Sequence, residues 1–329
     1  MGINKSLLTH VFMRKSQKAI RLVTGIIATL ALSISSLAYA SDSEVFKASL
    51  NAQLRFDERS GKDPRTQYRL RWYPQYNFSN STWSLNGFVS TGDDFSGSHN
   101  TISASYSDHF FLRRVYLRYQ STSFRTEFGV IPTYKGKVSS SGLSKNGFIK
   151  GIRLVSEPYS GAELELVVGS LDDTSAIRAM DAPKKLDYFE LELSTEINDY
   201  SSFELSFERM TDSNFLRSEY RLSPTANKHT ELYLEWIKRL DNEDDKIVLG
   251  VDSIFNFGNR PFELQGYYTY VSNDIGLRAE LTEDFISTGH GMSLEVKTPL
   301  NTNSGFKWVS RFDSFQNNTR FILGIELKI

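Results

Sequence analysis

The sequence predicts an all-β chain closed into a transmembrane antiparallel up-and-down barrel of about 16 strands. Three features carry that expectation: a leader at the N-terminus, a polar–apolar alternation that recurs over residues 41–329, and an alternating strand that runs to the last residue.

The leader comes first. Arg14, Lys15, Lys18 and Arg21 precede the apolar run 22–37, which closes in Ala38-Tyr39-Ala40. Basic, then apolar, then small residues before a cleavage point is the order of a secretory signal peptide, so residues 1–40 are expected to be removed and the mature chain to begin at Ser41. Met13, followed directly by Arg14 and Lys15, is an alternative start. A retained anchor fits less well, because Thr24, Gly25, Thr29, Ser33, Ser35 and Ser36 interrupt the apolar run.

Removing the leader takes away five basic residues and no acid, which leaves 33 Lys and Arg against 39 Asp and Glu. A mildly acidic chain argues against nucleic acid as a partner. The chain has no cysteine, which excludes disulfides, thiol nucleophiles and cysteine-ligated metals. Residues 41–329 contain no further long apolar run, so membrane-spanning helices are not expected there; a barrel escapes that test because only alternate residues meet lipid.

The strands follow from the alternation. Phe46, Ala48, Leu50, Ala52, Leu54 and Phe56 form one face of the first, and Lys47, Ser49, Asn51, Gln53, Arg55 and Asp57 the other. The second sets Tyr68, Leu70, Trp72, Pro74 and Tyr76 against Arg69, Arg71, Tyr73, Gln75 and Asn77. A period of two with unlike faces is what a strand between lipid and a wet lumen requires. Similar segments lie near 82–91, 109–119, 123–131, 147–156, 160–169, 186–196, 201–210, 214–222, 230–238, 246–257, 261–271, 274–283, 291–298, 304–313 and 319–329. That makes 17, whereas a closed bacterial barrel takes an even number; 16 is expected, with 14 and 18 as neighbours and the surplus at 214–222 or 274–283. A soluble β-sandwich also alternates but has less use for so many strands of about ten residues.

Short turns such as 79–81 and 121–122 alternate with longer stretches at 92–107, 132–146 and 170–185, a sidedness that is clear through residue 195. Tyr73, Tyr76, Phe78, Tyr116, Tyr119, Tyr267, Tyr268 and Tyr270 sit near segment ends, as interfacial aromatic girdles would.

The last strand sets Phe321, Leu323, Ile325, Leu327 and Ile329 against Ile322, Gly324, Glu326 and Lys328. It resembles the C-terminal strand by which outer-membrane barrels are recognised for insertion, although the usual terminal aromatic is here Ile329. The run Leu112-Arg113-Arg114-Val115-Tyr116-Leu117-Arg118-Tyr119, a two-residue turn and Phe124-Arg125-Thr126-Glu127-Phe128-Gly129-Val130 loosely resembles general and substrate-selective porins. The resemblance implies a Gram-negative outer-membrane location among lipid and lipopolysaccharide, insertion by the barrel-assembly machinery, passive diffusion of small polar solutes including ions, and an assembly compatible with a homo-oligomer. It also implies that the loop after the fifth strand narrows the pore. Here that loop spans 132–146 and carries Lys135, Lys137 and Lys145 with no acid, where the family's loop is acidic.

The alternation assigns the lumen charges. Arg69, Arg71, Arg114, Arg118, Arg125 and Arg153 point inward from early strands, and Glu163, Glu165, Glu190, Glu192, Glu204 and Glu208 from middle ones. Opposite walls of unlike charge would put a field across the pore, unless the two sets pair and fill it. The arginines, with the loop lysines, suit anionic or sugar-like solutes, whereas the acidic wall from Glu163 to Glu208 argues the other way if it lies at the narrowest point.

An outer-membrane hydrolase is the rival class, and a non-conducting adhesin or structural barrel a third. A hydrolase would need a polarised histidine. Beyond His10 the chain offers His99, His109, His229 and His290; His109, with Asp93 and Asp94, is the one arrangement reminiscent of a catalytic pair, and no motif supports it. The acidic run 241–245 lacks the spaced ligands of a calcium loop. No catalytic residue, metal or cofactor is expected.

Overall fold

The computed structural model describes residues 45–329 apart from 103–108, 134–145, 225–228, 277–287 and 302–304. The expected leader at 1–40, the cleavage point at Ser41, and Lys135, Lys137 and Lys145 lie outside the described residues.

The strands are β1 (Phe46–Arg59), β2 (Arg65–Asn77), β3 (Trp83–Thr91), β4 (Asn100–Thr101), β5 (Phe110–Gln120), β6 (Phe124–Pro132), β7 (Phe148–Tyr159), β8 (Ala162–Ser170), β9 (Tyr188–Asn198), β10 (Ser201–Met210), β11 (Ser213–Leu222), β12 (Thr230–Arg239), β13 (Asp245–Phe257), β14 (Arg260–Val271), β15 (Gly289–Pro299), β16 (Phe306–Phe315) and β17 (Asn318–Lys328). Each long strand pairs antiparallel with its sequence neighbours, and β17 returns to β1 from Asn51↔Lys328 to Arg59↔Arg320. Apart from the two-residue β4, which continues the ladder above β3 against Gln67 and Tyr68, the described residues form a closed barrel of 16 strands. Closure leaves no sheet edge, which is what makes such a wall compatible with lipid.

Of the two segments expected to hold the surplus, 274–283 lies outside the described residues from 277 onward. Residues 272–276 are turn and irregular backbone, and β14 pairs directly with β15 from Val271↔Gly289 to Glu263↔Lys297, so no strand fits between them. The segment at 214–222 is β11, paired on both sides.

Sidedness is clear through residue 200 and weakens beyond it, where 223–229 and 300–305 at the short-turn end are longer than 211–212, 240–244 and 316–317 at the other. The stretches 92–99, 133–147, 171–187 and 272–288 join strands at one end; the turns at 78–82, 121–123, 160–161, 199–200 and 258–259 lie at the other, with both barrel termini.

The outer face is apolar. Leu205 (40% exposed) and Leu323 (44%) point away from the lumen, as expected. At the short-turn end Trp83 packs on Tyr119 and Tyr119 near Phe124, while Tyr76 meets Phe78 edge-on and Phe262 contacts Phe255 and Phe257. These rings make the girdle. Tyr73, Tyr116 and Tyr267 do not join it: Tyr73 stacks on buried Phe88, Tyr116 accepts a hydrogen bond from Arg118, and Tyr267 accepts one from Arg311. The alternation turns them inward whatever their height.

Part of the interior is filled. Ile131, Ile149, Val167, Tyr188, Met210, Phe215, Ile237 and Val271 from β6 to β14 form one buried apolar cluster with Phe95, Leu171, Ala179 and Ile275 of the long connections. Loops folding inward thus bring apolar side chains into a space that strand alternation alone marks as wet.

Candidate functional site

Lumen-facing side chains divide into a neutralised half and an open half. In the first, Glu127 on β6 accepts from Arg118 (2.9 Å) and Arg153 (2.6 Å), and Arg153 also reaches Glu165 at 2.8 Å. Arg125 lies 3.6 Å from Glu163. Arg217 on β11, fully buried, meets Glu192 at 3.3 Å and Glu204 at 3.0 Å and also holds Glu219 and Glu235; Arg221 bonds Glu204 and Glu219. Glu190 accepts from the Tyr188 hydroxyl and Glu208 from Ser206. Most of the expected acidic wall, Glu163 to Glu208, is therefore engaged in pairs and hydrogen bonds, although Glu163 and Glu204 also line, with Arg221, a cavity of about 420 Å³. Buried ions persist only when partnered in this way.

The open half is a cavity of about 620 Å³ along β1, β2 and β14 to β17. Arg69 and Arg71 line it, as expected, together with Arg55, Lys297, Arg311, Lys328, Glu295 and Glu326. Arg69 donates to Asn51 at 2.6 Å and lies 3.8 Å from Glu326; Lys297 lies 3.0 Å from Glu295. A second cavity, lined by His229, Glu231, Asp252 and Glu263, shares Gln265, Glu295 and Lys297 with it. Arg114 does not line the main cavity; its guanidinium lies 4.1 Å from the ring centre of Phe88.

Two connections reach this cavity: Asn146, at the described end of the expected loop 132–146, lines it, and so do Ser96, Gly97, Ser98 and His99 from the connection after β3. Their placement begins with a β-bulge: Phe88 pairs with Arg114 and Val89 with Leu112, so Arg113 is an extra residue on β5. A bulge redirects a side chain that alternation would send outward. Arg113 thereby turns inward, fully buried, and donates to the carbonyls of Asp94 (2.8 Å), Thr91 (3.0 Å), Gly97 (2.7 Å) and Gly92. Gly92 takes φ 76°, and its amide bonds the Asn100 side chain. Arg71 then donates to Ser98 Oγ at 2.9 Å, and His99 Nε2 lies 2.7 Å from the Gln53 amide oxygen. Of the expected loop, the described ends Thr133 and Asn146 are buried, and Asn146 bonds Ser96 O at 3.2 Å.

Sequence reasoning did not single out Arg113, Glu127, Arg217, Glu295, Lys297, Arg311 or Glu326 as site residues. Glu295 and Lys297 alternate in phase with Ser293 and were legible by the rule that found Arg69 and Arg71. Arg113 was not, because the bulge reverses its phase.

Comparison with solved structures decides the fold. A triple mutant of the Rhodopseudomonas blastica porin superposes with a TM-score of 0.59 at 12% identity, covering 86% of this chain and 100% of that one. A variant of the same porin with five substitutions gives 0.60 at 11%, with the same coverage. The chain has the porin fold. No family model matches this porin-fold barrel, and no curated protein matches it in sequence. At this identity the likeness is one of fold alone.

Proposed function

We propose that this porin-fold barrel sits in the outer membrane of a Gram-negative cell, among lipid and lipopolysaccharide after insertion by the barrel-assembly machinery, and passes small hydrophilic solutes by diffusion. The observation that carries the reading is the polar cavity of about 620 Å³ inside a closed wall whose outer face is apolar. A neighbour in fold is described by the asymmetric conductivity of engineered proteins, which favours conduction as the use of such a wall. Porin-sized barrels of 16 strands leave an aqueous channel. Cations outnumber acids along the cavity, which favours anionic solutes, since fixed charge concentrates ions of opposite sign.

The reading assigns no catalysis. His99 faces the amide of Gln53 and His290 the hydroxyl of Tyr268, contacts that do not set up a nucleophile and its base.

The test is ion conductance of the purified mature chain in a planar bilayer. Stepwise current increments with a reversal potential favouring anions at low salt support the proposal; a silent bilayer with folded protein overturns it.

A further inference from the structure

Six of the charged side chains lining the main cavity are cations, namely Arg55, Arg69, Arg71, Lys297, Arg311 and Lys328, and two are acids. Both acids are engaged: Glu326 accepts from Asn51 at 2.6 Å and lies near Arg69 and Lys297, and Glu295 pairs with Lys297. Arg71 differs from its neighbours. Its Nε donates to Ser98, and no carboxylate among the described residues lies within ion-pair distance of it, so both terminal nitrogens keep their donor capacity. A guanidinium held in a cavity by one edge and open at the other is prepared for a planar, two-oxygen anion.

The next lumen-facing residue on the same strand is Tyr73, about 7 Å further along by strand geometry. Its ring stacks on Phe88 at 4.8 Å and 17°, and Phe88 in turn carries the Arg114 guanidinium at 4.1 Å. This stack fixes Tyr73 as a rigid shelf bordering the cavity. The amide of Gln265 also lines the cavity and offers partners for hydroxyl groups, while those of Asn51 and Gln53 bond Glu326, Arg69 and His99. A few placed polar groups around one flat apolar surface is the usual composition of a small-molecule site.

We propose that Arg71 and Tyr73 form a binding site for a carboxylate-bearing sugar: the guanidinium grips the carboxylate through its free edge, and the sugar ring lies against the tyrosine. The inference rests on the channel reading and names the solute class for it. Neutral sugars meet the shelf without the fork, and simple carboxylates the fork without the shelf.

The experiment is a calorimetric titration of the folded mature protein in detergent with glucuronate, glucose and acetate, alongside current recordings with the same probes in a planar bilayer. Glucuronate is expected to bind and to interrupt the current at concentrations where glucose and acetate do neither. Arg71→Gln is expected to weaken glucuronate roughly ten-fold or more, the loss of one charge-assisted pair of hydrogen bonds. Arg71→Lys should keep the charge and lose most of the affinity, and Tyr73→Ala should bring glucuronate toward the behaviour of acetate. Heat-modifiable migration on gels verifies that each variant is folded. Acetate binding as well as glucuronate, or glucuronate binding unchanged in Arg71→Gln, overturns the site. Absence of conductance with glucuronate still bound in detergent overturns the channel reading instead and leaves the site standing.

Discussion

Arg113 reaches the carbonyl oxygen of Gly97 at 2.7 Å, joining a strand of the wall to the loop that enters the lumen. Three further carbonyls of residues 91–94 share the same guanidinium, so one buried cation closes the turn of chain that leaves β3.

Replacing Arg113 with Ala removes every one of those donors and leaves buried carbonyls without partners, which costs on the order of 1–3 kcal/mol for each. The loop is expected to leave its position, raising single-channel conductance and slackening solute discrimination while the barrel still folds. Conductance of Arg113→Ala equal to wild type would show that the loop does not limit the pore.

A second expectation concerns ion preference. Arg69 and Arg71 line the cavity, whereas Arg118 is paired with Glu127 and Arg114 covers Phe88. Arg69→Ala/Arg71→Ala should therefore shift the reversal potential across a salt gradient more than Arg114→Ala/Arg118→Ala. The difference should shrink as salt is raised, because the Debye length falls to ~10 Å or less. Equal shifts would place the selectivity elsewhere.

The Arg217 cluster predicts an asymmetry in stability. Arg217→Met leaves Glu192, Glu204, Glu219 and Glu235 without their shared cation and should cost ~3–5 kcal/mol. Glu163→Gln, at a pair about a third exposed to solvent (30% and 39%), should cost at most ~1 kcal/mol. Urea unfolding of micelle-folded protein compares the two, and similar losses would refute the distinction.

On the lipid face, Leu205→Arg and Leu323→Arg should each cost ~2–4 kcal/mol near the midplane. The alternation alone would mark Gly324, on the opposite face, as tolerant. The structure says otherwise, since a Cβ there would lie 2.6 Å from the carbonyl oxygen of Leu54. Gly324→Ala should be destabilising despite pointing away from lipid, which folding yield into liposomes would reveal.

Cleavage before Ser41 remains an expectation from the order of charge and hydropathy at the N-terminus. N-terminal sequencing of protein extracted from outer membranes checks it, and a retained apolar run at 22–37 would contradict it.

The sequence by itself determined the class of barrel, a strand number of about 16 and the face on which most side chains lie, while strand pairing settled the exact number. It could do so because a two-residue period is local: Arg69 and Arg71 share a face with Tyr73 in any strand register that keeps Trp72 toward lipid. What it could not determine is where two inward charges meet. Glu192, Glu204, Glu219 and Glu235 come from four strands and converge on Arg217 only once neighbouring strands are in register. The same holds for the connections that reach the lumen. Resemblance pointed to the loop 132–146, of which 134–145 lie outside the described residues, but no resemblance or alternation marked the connection after β3, which also enters the cavity and is held by Arg113. A bulge at Phe88 and Val89 sets that side chain's direction, and a bulge is a property of how two strands pair rather than of either strand alone. Which charges remain open to solute is therefore a tertiary decision: pairing engages most of the charges from β5 to β12 and leaves Arg71 without a carboxylate partner among the described residues.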